Sequence, residues 1–245
     1  KSIGSEKDLG EGIKEFGGDS ILKSRKLGYD GKNQIVVGNQ NAKDIWKKIG
    51  GMESIIENKI NFITEVSIIG VRNIAGETFF YPLVENSHKH GILNTSIAPF
   101  ENHTLQKEAE VIHKKITSLM DYVGVLVIEF FIDKNNKLIA NEMAPRVHNS
   151  GHWTISGSNI SQFESHILAI SNLPLKEIKT PKYSGMINIL SKMPDINKIE
   201  KIGVSNIFNY GKSERPNRKL GHITITCSDK KLLIEKINTI SKILY

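Results

Sequence analysis

Glu142-Met143-Ala144-Pro145-Arg146-Val147-His148-Asn149-Ser150-Gly151-His152-Trp153 follows a strand-like run and then abandons every regular period. It packs an arginine, two histidines, an asparagine, a glycine and a tryptophan into one irregular stretch. Pro145 fixes φ just after the carboxylate. Arg146 brings a planar fork, and His148 and Asn149 bring further donors, a set that suits a small planar oxyanion. A polar loop that satisfies its own backbone is the plain alternative. His148 and His152 lie four apart, but the loop-like setting argues against a zinc site.

Upstream, residues 123–132 and 137–141 read as a hairpin turned by Asp133-Lys134-Asn135-Asn136. Antiparallel pairing would place Glu129 and Glu142 side by side. Two close carboxylates raise each other's pKa unless a cation sits between them. Magnesium, with oxygen ligands and nucleotide phosphates, is the usual solution. The alternative is that one glutamate is a solvated hairpin-edge charge.

Two further segments carry candidate chemistry. Residues 20–25 and 34–37 read as strands around Leu27-Gly28-Tyr29-Asp30-Gly31-Lys32-Asn33-Gln34. Glycines flanking a tight turn let backbone N–H groups face a phosphate, and Lys23 would reach the same group. Asp-Gly is equally a favoured turn dipeptide, and the G-x-x-x-x-G-K-[ST] pattern is absent. Near the C-terminus, Lys212, Arg215, Arg218 and Lys219 crowd a turn between two strands. That is a phosphate-monoester clamp, a nucleic-acid patch or a solvated basic loop. Aromatic residues are sparse there, so nucleic acid is the weaker reading.

The remaining chain supplies scaffold. Ser5-Glu6-Lys7-Asp8 reads as a capping box before a helix carrying Leu9, Ile13 and Phe16 and stopped by Gly17. Asn41 caps a helix with Ile45, Trp46 and Ile49. Residues 54–57 form a strand, and 65–72 with 78–84 form a hairpin around Ala75-Gly76-Glu77. Thr104 opens a long amphipathic helix, and 161–171 form another. A Lys/Pro-rich connector spans 176–182. Strands near 186–190, 205–210 and 222–227 and a helix from Asp229 follow. Strands and helices mixed without strict βαβ alternation predict an α+β architecture.

Composition sets outer bounds. In 245 residues, 39% are hydrophobic and 24% charged, which excludes collagen-like, disordered and low-complexity classes. No run of about 18 apolar residues exists, so no membrane span is expected. The one cysteine, Cys227, cannot form an internal disulfide, which suits a reducing cytoplasm. The chain starts at Lys1 without a charged-then-apolar leader, so no signal peptide is read. The net charge of +7 suits an anionic partner without naming one.

Taken in order, these segments resemble a known family. Lys23, Gly28-Tyr29-Asp30-Gly31-Lys32, Glu57, Glu65-Val66-Ser67, Phe80-Tyr81-Pro82-Leu83-Val84-Glu85-Asn86, the 141–153 run and Arg218-Lys219-Leu220-Gly221-His222 are similar to the ATP-grasp 5-(carboxyamino)imidazole ribonucleotide synthetases of purine biosynthesis. The resemblance implies an ATP-grasp fold, two α+β lobes clasping ATP, with a small C-terminal β-rich lobe. It divides the chain into a lid lobe (1–60), a larger lobe (61–175) and the C-terminal lobe (176–245). It implies a ligase that uses ATP, bicarbonate and 5-aminoimidazole ribonucleotide; the alternatives are another ATP-grasp ligase or carboxylase with a different acceptor, or a non-catalytic nucleotide-binding fragment. ATP phosphorylates bicarbonate to carboxyphosphate, and the exocyclic amine is then carboxylated, leaving ADP and phosphate.

Site roles follow from the same resemblance. ATP is assigned to Lys23, Gly28, Tyr29, Asp30, Gly31, Lys32, Asn33, Gln34, Glu57, Asn58, Lys59, Ile60, Glu65, His88, Asn141 and Glu142. Glu129 and Glu142 would carry Mg2+, with Mn2+ as a substitute. Arg146, His148 and Asn149 would hold bicarbonate, with Asp30 acting on the amine. Tyr29, Asp30 and Lys32 would lie near the ribonucleotide, and Lys212 and Arg218 would grip its phosphate. A homodimer is expected, with no nucleic-acid or membrane partner. The family normally carries a further N-terminal nucleotide-fold domain, and this chain is expected to start after it. Asn33 stands where the loop usually has a third glycine, and asparagine tolerates left-handed φ better than most residues.

Overall fold

The structure, a computed structural model, describes residues 1–26, 32–180 and 182–245. The chain divides into two compact units, Lys1–Asn61 with His90–Ile92, and Phe62–Lys89 with Leu93–Tyr245. Among the described residues no helix is long and apolar enough to cross a membrane.

The first unit holds β1 (Ser2–Ile3), α1 (Glu6–Phe16), β2 (Ser20–Ser24), β3 (Gln34–Val36), α2 (Ala42–Lys48) and β4 (Ser54–Asn58). Ser5 Oγ accepts the Asp8 N–H and opens α1, and Gly17, at φ 73°, ends it. Asn41 Oδ1 accepts the Asp44 N–H and opens α2 in the same way. Among the described residues the strands form a four-stranded antiparallel sheet in the order β1-β4-β2-β3. Leu9 and Ile45 of the helices close over Ile3, Leu22, Val37 and Ile56 in a core of their own. Two-residue β1 had no sequence signal, being too short to show a period.

The second unit begins with β5 (Thr64–Arg72), β6 (Thr78–Phe80), β7 (Val84–Lys89) and β8 (Ile92–Ala98). It continues through α3 (His103–Leu119), β9 (Gly124–Ile132), β10 (Leu138–Ala144), α4 (Thr154–Gly157) and α5 (Gln162–Ile170). It ends with β11 (Tyr183–Leu190), α6 (Ile196–Glu200), β12 (Asn206–Asn209), β13 (Lys219–Cys227) and α7 (Lys230–Leu244). Among the described residues one sheet runs β10-β9-β5-β7-β8-β11-β13-β12, with β6 paired to β5. Residues 176–245 add β11 to β13 to that sheet, with β11 pairing β8 from Ser184↔Ala98 to Ile187↔Thr95.

Several elements depart from the expectation: the short helices α4 and α6 were not read, and β10 runs on through Glu142 to Ala144, into the stretch expected to be irregular. The strand expected over 78–84 is two strands. Pro82 has no N–H for the ladder, so β6 pairs β5 at Gly70–Arg72 and β7 pairs it at Glu65–Ser67. β8 was not anticipated, because it is buried on both faces and shows no alternation. His90 and Gly91, both at positive φ, form the turn before it. Helix α3 is capped by Asn102, whose Oδ1 accepts the Leu105 N–H, rather than opened at Thr104.

The two faces of the β5–β9 pair differ. One carries Val66, Ile68, Leu126, Ile128 and Phe130 against Leu105 and Ala109 of α3. The other carries Ile69, Val71, Val125 and Val127 against Trp153 and Ala169. By strand alternation, this second face continues into Ser67, Glu65 and Glu129.

Candidate active site

Register brings the carboxylates together. β10 pairs β9 with Glu142 directly opposite Glu129, after a register irregularity between Ala140 and Glu142. Next door, β5 sets Ser67 opposite Glu129, and Glu65 faces Asn86 of β7. Glu129 is 13% exposed, and its Oε1 has no hydrogen-bond partner. Burial pushes its carboxyl up to about 7; His88 pulls it back, while Glu142 and Glu65 push further. Beside it, His88 Nδ1 lies 2.6 Å from Glu65 Oε2. Burial lowers the His88 pKa, but the hydrogen bond and charge of Glu65 and the charge of Glu129 outweigh it, so the net shift is upward.

The irregular run lies against this carboxylate end. His148 Nε2 stands 3.7 Å from Glu129 Oε1, beyond hydrogen-bond length. Burial, then the charges of Arg146 and Lys219, push His148 down to about 3, so the ring is neutral and makes no ion pair with Glu129. Gln162, fully buried at the start of α5, clamps the loop: its Oε1 accepts the His148 N–H at 3.0 Å and its Nε2 donates to His148 O at 2.6 Å. Gly151 passes so close to Gln162 that a Cβ there would collide with the amide. Arg146 is exposed and donates to Val147 O at 3.0 Å. Asn149 pairs amide to amide with buried Asn188 of β11, at 2.7 and 3.1 Å.

On β12 and β13, Phe208 stacks on His222 at 4.4 Å, and Tyr210 OH lies 2.7 Å from His222 Nδ1. Lys212 Nζ sits 5.0 Å over the Tyr210 ring. Arg218 donates to Ser213 Oγ at 2.8 Å. The turn that holds them is anchored by Ser191 Oγ, which accepts the Asn217 N–H, and by Glu214, which accepts the Met193 N–H.

In the first unit, Lys23 Nζ is ion-paired with Glu57 Oε2 at 2.8 Å across β2 and β4. Lys23 also stands opposite Gln34 in the β2–β3 register. Asn33 takes φ 58°, the left-handed conformation a glycine would otherwise supply, and its carbonyl accepts the Ser24 N–H. Asn58 ends β4, and Lys59 N–H donates to Asp19 O, with Ile60 next along the chain. Lys32 opens the turn before β3. Gly28, Tyr29, Asp30 and Gly31 lie outside the described residues.

Among the described residues no three His, Cys, Asp or Glu side chains form a metal-binding group. The Glu129–Glu142 pair nevertheless fits a hard cation. Glu129 Oε1 is buried and unpartnered, and two carboxylates are enough for magnesium, which keeps waters and phosphate oxygens. Sequence reasoning assigned no role to Ser67, Asn86, Ser150, Gln162, Asn188 or Tyr210. A signal for Ser67 was its place on β5, which flanks β9, and for Ser150 its place two residues after His148 in the irregular run; Asn86, on β7 beside β5, and the rest come near the site only through folding.

Comparison with known proteins gives the family and the fold. Residues 1–163 match the ATP-grasp domain model, and residues 184–236 match the phosphoribosylaminoimidazole carboxylase C-terminal domain model. The Pseudomonas aeruginosa N5-carboxyaminoimidazole ribonucleotide synthase is 40% identical over 96% of this chain and 65% of its own length. The crystal structure of the Thermus thermophilus synthetase superposes with a TM-score of 0.90 at 40% identity, covering 99% of this chain and 66% of that one. An Aspergillus clavatus synthase solved with ADP and 5-aminoimidazole ribonucleotide superposes with a TM-score of 0.87 at 26% identity, covering 100% and 68%. This chain thus spans about two thirds of the length of the relatives it matches. It belongs to the ATP-grasp family, and the relatives it resembles over most of its length are N5-carboxyaminoimidazole ribonucleotide synthases.

Proposed function

We propose that this chain carries the ATP- and bicarbonate-handling part of an N5-carboxyaminoimidazole ribonucleotide synthase. In this reading ATP and bicarbonate give carboxyphosphate and ADP. The exocyclic amine of 5-aminoimidazole ribonucleotide then attacks the carboxyl carbon, and phosphate leaves. The observation that carries the reading is the buried, unpartnered Oε1 of Glu129, on the residue opposite Glu142, with neutral His148 beside it. The named relatives, one solved with ADP and the ribonucleotide, supply the substrate class.

Within that function, residues 1–60 contribute Lys23 and the 28–34 loop to ATP phosphates, with Glu57 to Ile60 at the base. Glu65 and His88 take the ribose hydroxyls, a carboxylate and an imidazole already hydrogen-bonded to each other. Glu129 and Glu142, with Asn141 beside them, would hold magnesium, which when bound neutralises phosphate charge. Arg146 and His148 offer donors to bicarbonate, and Asn149 is oriented by Asn188 to offer its remaining amide N–H. Lys212 and Arg218 take the ribonucleotide phosphate, and Asp30 the attacking amine. The site works by positioning and by keeping water from a labile intermediate. A homodimer, a cytoplasmic setting and a contribution from the additional length of the relatives belong to the same proposal.

ADP release tests it. The full-length protein carrying this chain is assayed with magnesium and bicarbonate, with and without 5-aminoimidazole ribonucleotide. Strong stimulation with stoichiometric carboxylated product is expected. ATP turnover indifferent to the ribonucleotide moves the acceptor to another metabolite and overturns the assignment.

A further inference from the structure

A line of buried side chains ends on His148. Ser96 of β8 donates its hydroxyl to Asn86 Oδ1 at 2.8 Å, and Asn86 Nδ2 donates to Ser67 Oγ at 3.0 Å. Ser67 Oγ donates to Ser150 Oγ at 2.9 Å, and Ser150 Oγ lies 2.9 Å from His148 Nδ1. The three serines are fully buried and Asn86 is 5% exposed, so no solvent competes for these bonds.

The line has a sense. A side-chain amide or a hydroxyl can be turned around, but a backbone N–H cannot. The Ser150 backbone N–H points at His148 Nδ1, 3.3 Å away. Nδ1 is therefore an acceptor, and the Ser150 hydroxyl must donate to it as well. Ser150 Oγ then accepts from Ser67, and Ser67 from the Asn86 amide, a direction in which every proton has one place to go. A neutral imidazole has a single N–H. With Nδ1 accepting, that proton is on Nε2, the edge that faces Glu129.

We propose that Ser67, Asn86 and Ser150 are positioning residues that fix His148 as the Nε2–H tautomer, so that its ring donates a hydrogen bond to the carbonate oxygens and cannot accept a proton at that edge. The ligand half of this inference rests on the bicarbonate reading above; the tautomer half does not. The consequence for the reaction is specific. The proton released as the amine attacks leaves through a group other than His148, and His148 stabilises developing charge on the carbonate.

The test is spectroscopic. Histidines of the full-length protein are labelled with 15N, and the His148 signals are identified by their loss in His148→Gln. The wild type is expected to show a protonated Nε2 and an unprotonated Nδ1. Ser150→Ala and Ser67→Ala are expected to admit a minor Nδ1–H population, because the long 3.3 Å contact from the Ser150 backbone N–H alone then holds Nδ1 as an acceptor, while the other histidine signals stay in place. Bicarbonate-dependent ADP release should fall about tenfold in each, the size of one misplaced hydrogen bond, with KM for ATP unchanged. A wild-type Nδ1–H signal overturns the proposal, as does an Nε2–H signal untouched in both variants. Loss of all bicarbonate dependence with the Nε2–H signal intact refutes the function but not the tautomer.

Discussion

The same two strands, β5 and β9, present one face that is apolar throughout and one face that ends in carboxylates and hydroxyls. On the α3 side every inward residue from Val66 to Phe130 is apolar, and the buried histidine there, His113, meets Phe80 edge-on at 5.1 Å. Its Nε2 lies 3.0 Å from Leu126 O, and its Nδ1 has no partner. On the opposite side the apolar pattern stops at Ile69 and Val127 and gives way to Ser67, Glu65 and Glu129. The half-buried histidine there, His148, has two donors at Nδ1 and its Nε2 directed at a carboxylate. Both rings are held neutral by burial. What separates them is whether the surrounding polar groups leave one edge with a defined task.

Substitutions can break that comparison. The largest effect is expected from Glu142→Gln in the full-length enzyme. Removing one carboxylate of the pair should lower ATP turnover by at least about a thousandfold, several kcal/mol of transition-state charge stabilisation. The melting temperature should hold, because Glu142 is exposed. Turnover near wild type would remove the metal assignment. On the other face, Leu126→Ala should show the reverse signature. Truncating a fully buried side chain costs about 2–5 kcal/mol of stability, while the folded fraction keeps its KM values. Denaturant titration beside steady-state kinetics separates the two. A loss of activity without a loss of stability would mean that the faces are not divided as described.

Smaller effects sharpen the picture. Lys212→Ala should raise the KM for the ribonucleotide about tenfold and leave kcat within about twofold, since an exposed cation that binds substrate and transition state alike contributes uniform binding. An unchanged KM would remove Lys212 from the phosphate site. His113 should report in the pH dependence of stability. Burial pushes its pKa down from 6.5 to about 4, so the unfolded chain binds more protons between those values. Stability present above pH 6.5 is lost as pH falls toward 4, and His113→Gln should flatten that part of the curve. Urea midpoints measured across pH 4 to 7 decide it.

Much of this was legible in the chain. Ser5, Asn41 and Asp229 announce their helices because a short polar side chain at a helix start has one use, accepting an orphan N–H. The closeness of Glu129 and Glu142 was legible only in part: the Asp133–Asn136 turn sets the register as far as Ala140↔Phe130, which alone would put Asn141 opposite Glu129, and the irregularity that brings Glu142 there instead has no signal in the sequence. The relay beneath His148 was not, since Ser67, Asn86, Ser96 and Ser150 come from four separated segments and look like ordinary strand or loop polars. Strand β8 was missed for the same reason that it is central: burial on both faces erases the alternation that reveals a strand.

The central claim is that the carboxylate end of the site face activates bicarbonate by phosphorylation. Bicarbonate labelled with 18O tests it directly. If carboxyphosphate forms, the bicarbonate oxygen that attacks the γ-phosphorus stays with phosphorus when the amine displaces it. Each turnover should then place one labelled oxygen in inorganic phosphate, measured by mass spectrometry. Phosphate free of label, released in step with carboxylated product, would contradict the account.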